Sequence, residues 1–127
     1  MPRLLEASLS RDERALLERF ARELRARLGG ALHDTWLFGS RARGEQPQAD
    51  SDVDVLVLVD DDSPPGQGRV YAALDAAARE LDLEGLALTF SVHIQTPAWL
   101  AQRREIRSFF IAEVDRDRIA VGDSGGS

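Results

Sequence analysis

Apolar residues recur at helical spacing near the start of the chain. Leu16, Leu17, Phe20, Leu24 and Leu28 share one face of a helix expected over Ser10 to Leu28. Ser10 and Glu13 have the spacing of a capping box, and Gly29 follows as a stop. Glu18 with Arg22 and Glu23 with Arg27 form i, i+4 pairs, so the arginine-rich side reads as a solvated face. The period then shortens. Ala31 to Phe38 suits a short strand ended by Gly39-Ser40, and Ser51 to Val59, with valine at 53, 55, 57 and 59, is the clearest strand. Asp60 to Gly68 holds acids, two prolines and two glycines and reads as a loop. Helical period returns over Arg69 to Leu81. Leu86 to Gln95 is a third expected strand, with Leu88, Phe90, Val92 and Ile94 toward the core. Thr96-Pro97 opens a helix through about Val114, with Phe109 and Phe110 inward, and Ile119 to Val121 is a short last strand. This order implies an α/β or α+β fold, helices packed on a sheet, in a single domain over 1–121 with a flexible tail over 122–127.

Composition narrows the chemistry. With 127 residues, 43% of them hydrophobic, the chain can build one core. It has no cysteine, which removes thiolate zinc sites and thiol nucleophiles, and no lysine, which removes Schiff-base chemistry and a P-loop lysine. No run is long enough for a membrane span, and Met1 to Ser10 lacks the apolar stretch of a signal peptide, so a cytoplasmic protein is expected. Net charge is −6, which argues against nonspecific DNA binding. The acidity is local: seven of the 22 acids lie between Gly44 and Gly68 with no basic residue among them. Elsewhere 15 acids face 16 arginines.

One segment stands apart: Phe38-Gly39-Ser40, eleven residues, then Asp52-Val53-Asp54-Val55. On a strand Asp52 and Asp54 face the same way, about 7 Å apart. They repel unless a cation offsets them, and two carboxylates suit Mg²⁺, which fills its shell with water and phosphate oxygens. An exposed edge strand with acids in water is the plain alternative. Gly39-Ser40 adds a turn where backbone can approach a phosphate, with a hydroxyl at Ser40 and cations at Arg41 and Arg43. Together these parts suit phosphoryl or nucleotidyl transfer.

The stretch FGSRARGEQPQADSDVDVLV resembles the signature of the DNA polymerase beta-type nucleotidyltransferase superfamily, and GSRARG with SDVD resembles its minimal nucleotidyltransferase branch. The resemblance implies the nucleotidyltransferase fold: a mixed β-sheet with helices packed on it, and Mg²⁺ (or Mn²⁺) with a nucleoside triphosphate, ATP expected, at the open edge. It implies that Gly39 and Ser40 hold the triphosphate, that Arg41 and Arg43 contact phosphate, and that Asp52 and Asp54 bind metal. The implied reaction is attack of an acceptor hydroxyl on the α-phosphate, with AMP the expected group transferred. A small helical HEPN-type protein is the implied partner, in a toxin–antitoxin pair.

Active members carry a third carboxylate on a later strand. Here it would fall at Ser91 or His93, and neither is acidic. His93 could act as the base in its place, or be an ordinary strand histidine. His33, Trp36 and Trp99 read as packing residues. Two functions therefore stand open: an enzyme transferring an NMP group to a hydroxyl of a protein or small molecule, and a degenerate module that binds a nucleotide or partner without transfer.

Overall fold

The computed structural model describes residues 7–45 and 52–122. The expected tail beyond Gly122, the spacer over 46–51 and the N-terminal six residues lie outside them. Helix α1 (Arg11–Leu28) starts at the expected capping box: Ser10 Oγ accepts from the Glu13 N–H, and Glu13 Oε1 accepts from the Ser10 N–H. Strand β1 (Leu32–Phe38) follows, then β2 (Val53–Val59), α2 (Pro64–Leu81), a single turn α3 (Glu84–Ala87), β3 (Phe90–Gln95), α4 (Pro97–Glu105), α5 (Phe109–Asp117) and β4 (Ile119–Ala120).

The sheet is mixed, in the order β3-β2-β1-β4. β1 is antiparallel to β2 and β4, while β2 and β3 run parallel. A parallel neighbour requires a crossover, which α2 and α3 supply. Helices cover both faces. On one, Val53, Val55, Val57 and Val59 pack with Leu16, Leu17, Phe20 and Leu24 of α1 and Val70, Ala73 and Ala77 of α2. On the other, Trp36, Phe38, Leu56 and Leu58 pack with Leu100 of α4 and Ile111 and Val114 of α5. β2 is thus the central, buried strand, and the exposed-edge alternative for its acids does not hold.

Four local expectations are corrected. α2 begins at Pro64 rather than Arg69, because the first helical turn needs no backbone N–H from proline, and Gly66 lets the helix approach Asp61: a Cβ there would meet the Asp61 carbonyl oxygen at 1.9 Å. β3 begins at Phe90; Leu86 lies in α3, and Leu88 is 88% exposed instead of core-facing. The expected helix from Pro97 to Val114 is two helices, broken where Arg107 takes a positive φ of 55°. That break leaves Phe109 exposed and turns Phe110 onto the sheet. His33 is also exposed, bonded to Asp60, whereas Trp36 is buried as expected.

A buried ion pair ties the first helix to the turn after β1. Arg41 donates to both carboxylate oxygens of Glu13, at 2.7 and 3.0 Å, and to the Ser8 carbonyl at 2.9 Å. Burial alone would push the Glu13 carboxyl up, but hydrogen bonds from Arg41 and from the Ser10 backbone together hold it below its usual value. A depressed carboxylate adds stability above its unfolded pKa that is lost as pH falls through the folded one. Replacing Glu13→Ala should therefore cost about 3 kcal/mol at pH 7, because it leaves Arg41 buried and unpaired by its carboxylate. Urea titrations should also show a smaller loss of stability between about pH 5 and 3 than in the unaltered protein. An unchanged midpoint at pH 7 would show that the pair contributes nothing.

Candidate active site

The candidate residues meet at one end of the sheet because of register. Phe38, the last residue of β1, is paired with Asp54, and Asp54 is paired with Ser91. Gly39 follows Phe38 with φ of 79°, and its α-carbon lies against the Asp54 carboxylate: a Cβ on Gly39 would sit 2.6 Å from Asp54 Oδ2. Glycine is needed here twice over, for the left-handed backbone and for the close approach. The chain then coils on itself: the N–H groups of Arg43, Gly44 and Glu45 donate to the carbonyls of Gly39, Arg41 and Ser40. Those three donors are used inside the turn, which leaves its opening residues, Gly39 and Ser40, as the part of it that could meet a phosphate.

The two arginines are placed differently from expectation. Arg41, expected at phosphate, is 5% exposed, and its guanidinium is held by Glu13 and Ser8. Its role is to anchor the turn, and its charge reaches Asp54 only at a distance. Arg43 lies on the cleft wall and bonds Glu45 and Asp117, at 2.7 and 2.8 Å. These two carboxylates raise the guanidinium's affinity for its proton, Glu45 more than Asp117. Asp117 is held low chiefly by Arg116, then, against the opposing effect of burial, by Arg43.

Asp52 is exposed at the entrance to β2, while Asp54 is partly buried. Burial pushes the Asp54 carboxyl up, the nearby His93 opposes that, the like charge of Asp52 adds to it, and Arg41 opposes it. A carboxylate whose charge is disfavoured by burial and by a neighbour of the same sign is suited to a bound cation. Among the described residues no three potential ligands surround one point; the protein groups that could hold an ion here are this pair. That suits Mg²⁺, which takes one or two carboxylates and completes its shell with phosphate oxygens and water.

His93 shares the face of Asp54, one residue pair further along β3. Its ring packs against both Phe38 and Phe110, centroids 5.3 and 5.9 Å away, and its Nε2 is 3.4 Å from Ser91 Oγ. Beside it a cleft of about 200 Å³ is lined by Phe38, Gly39, Arg43, Asp54, Phe110, Glu113, Val114 and Asp117. Glu113 and Asp117 did not figure in the sequence reading, because the break before α5 carries neither proline nor glycine to announce it.

Gly39→Ala should cost about 1–2 kcal/mol through its positive φ. The clash itself is with the mobile end of Asp54, so the larger effect should be on ion binding. At ten times its Kd, Mg²⁺ or Mn²⁺ should add about 1.4 kcal/mol to the unaltered protein, a rise of about 5 °C in Tm. Asp54→Asn should abolish that rise, and Gly39→Ala should reduce it. Equal rises in all three proteins would remove the ion from this site.

The family model described as "Nucleotidyltransferase domain" matches residues 17–114, from within α1 to Val114 of α5. No curated protein and no solved structure matches the chain. The match spans both carboxylates, the Gly-Ser turn and all but the last strand of the sheet, and its fold agrees with helices packed on a mixed four-stranded sheet. The chain belongs to the nucleotidyltransferase domain family.

Proposed function

We propose that the protein binds ATP with Mg²⁺ and transfers AMP to a hydroxyl group of a protein or small molecule. The observation that carries this reading is the contact of Gly39 with Asp54, which joins the phosphate-facing turn and the carboxylate strand into one cleft. Asp52 and Asp54 would hold the ion, which neutralises phosphate charge when bound. Gly39 and Ser40 would orient the triphosphate, and Arg41 keeps that turn in place through Glu13. Arg43 stands on the cleft wall, but reaching a phosphate would mean exchanging Glu45 or Asp117 for it. His93, packed against two phenylalanine rings, serves to position the floor of the site and to moderate the Asp54 charge.

A small helical HEPN-type protein is the acceptor we favour, on the strength of the GSRARG and SDVD elements, with this chain as the antitoxin half of the pair. A cytoplasmic setting, where ATP and Mg²⁺ are abundant, suits the cysteine-free chain. One observation favours the second reading, a module that binds nucleotide without transfer: the residue in register with Asp54 on β3 is Ser91 and not an acid.

Incubation with α-labelled ATP, Mg²⁺ or Mn²⁺ and the protein encoded beside this one separates the two readings. Label transfer that falls on the order of 100-fold or more in Asp52→Asn and Asp54→Asn supports the enzyme. Binding without transfer supports the module. A protein that binds neither ATP nor GTP at high micromolar concentration with Mg²⁺ is neither. His93→Ala should lower transfer only several-fold; complete loss would make His93 the base.

A further inference from the structure

We infer that Glu113 of α5 is the carboxylate that serves the acceptor side of this cleft, in place of an acid on β3; the inference rests on the nucleotidyl-transfer reading above. The position where β3 faces Asp54 holds Ser91, and the next residue on that face, His93, has its ring packed against Phe38 and Phe110. Across the cleft lies α5, tied at one end to β1 and at the other to the turn after it. Phe110 packs edge-on against Phe38 at 5.6 Å, and Asp117 bonds Arg43 at 2.8 Å. Those two residues are seven apart, about 10 Å along a helix. Glu113 stands between them, three residues after Phe110 and so on the same side of α5.

Glu113 and Asp54 line the same cleft of about 200 Å³. At roughly 30 Å³ per water, that is space for on the order of six waters, enough to seat a hydroxyl and phosphate oxygens between the two carboxylates. The other acids nearby are occupied: Asp117 by Arg43 and Arg116, and Glu45 by Arg43. Glu113 is exposed and, among the described residues, has no hydrogen bond or ion pair; Arg116 acts on it only through its field. Its lone pairs are open to a substrate proton.

The step balances with the triphosphate and the hydroxyl alone. The acceptor O–H gives its proton to the Glu113 carboxylate as its oxygen bonds to the α-phosphorus. The bond from that phosphorus to the oxygen bridging to the β-phosphate breaks, and pyrophosphate leaves with the electron pair. Glu113 then returns the proton to water.

The test compares the full chain with Glu113→Gln, Glu113→Asp and His93→Ala. Pyrophosphate release from ATP, with water as the acceptor hydroxyl, is measured beside label transfer to the neighbouring protein. Binding of α,β-methylene-ATP with Mg²⁺ and the thermal midpoint are measured for each variant. Glu113→Gln should lower kcat on the order of 100-fold, the usual contribution of a positioned base, with nucleotide Kd and midpoint unchanged. Glu113→Asp should recover part of that loss. Full activity in Glu113→Gln, or a loss matched by weaker nucleotide binding, overturns the role of Glu113 and leaves the transferase reading intact. Absence of both reactions in the unaltered protein overturns the transferase reading and this inference with it.

Discussion

The bidentate pair between Glu13 and Arg41 is the interaction on which the site's geometry depends. It joins the first turn of α1 to the turn after β1 and lies out of water, so each charge would be costly alone. Glu13 also closes the capping box of α1 through Ser10, so helix start and loop position are set by one carboxylate. The Ser8 N–H donates to the Arg41 carbonyl at 2.8 Å, adding a backbone link at the same point. An apolar pair of the same volume could hold α1 to the turn equally well, since buried ion pairs are seldom a net gain in stability. What an apolar pair would not supply is the directional grip of five fixed donors on the residue two positions after Gly39.

That grip matters because the sheet fixes the other half of the site. β2 is central and buried, and its pairing with β1 and β3 puts Asp54 beside Phe38 and Ser91. A shift of one residue in either pairing would send Asp54 to the opposite face, among the valines that pack on α1 and α2. With Asp54 fixed by the sheet and the turn fixed by Arg41, the approach of Gly39 to the carboxylate follows from two independent restraints. The second face needs covering too, because Trp36, Phe38, Leu56 and Leu58 point away from α1. α4 and α5 provide that cover, and in doing so they bring Glu113 and Asp117 to the cleft.

The parts of this arrangement legible in sequence are those coded locally. Alternating valines marked β2, and the Gly-Ser and Asp-x-Asp elements identified the residues that the fold brings to one end of the sheet. The capping box marked the start of α1 as well, but nothing in it showed that Glu13 has a second partner 28 residues away. Arg41 reads, with Arg43, as a cation for phosphate beside the Gly-Ser turn; its burial against Glu13 depends on a long-range contact that no spacing records. The break at Arg107 was hidden for a different reason. A helix can end on a non-glycine residue in the left-handed region when tertiary packing compensates, and the packing of Phe110 on Phe38 and His93 is that compensation. Proline and glycine before Arg69 misled in the opposite sense, because both are at home in a first helical turn.

Charge connects these layers. The acids between Gly44 and Gly68 have no basic residue among them, and the fold gives one of them, Asp54, a partly buried position lining the cleft, with Asp52 exposed beside it. Elsewhere several acids are matched by arginine: Glu13 with Arg41, Asp115 with Arg104, Asp117 with Arg43 and Arg116. Those carboxyls are held below their usual values, so their ionisation supports the fold above about pH 5. Asp54 is displaced the other way, its carboxyl raised by burial, so its ionised form weighs against the fold at neutral pH. Arg41 bonds Glu13, and the Asp54 charge is met within the protein only by the fields of His93 and Arg41. On the proposed reading, an ion carried with a phosphate substrate would offset that charge, and the stability forgone at Asp54 would become affinity for it.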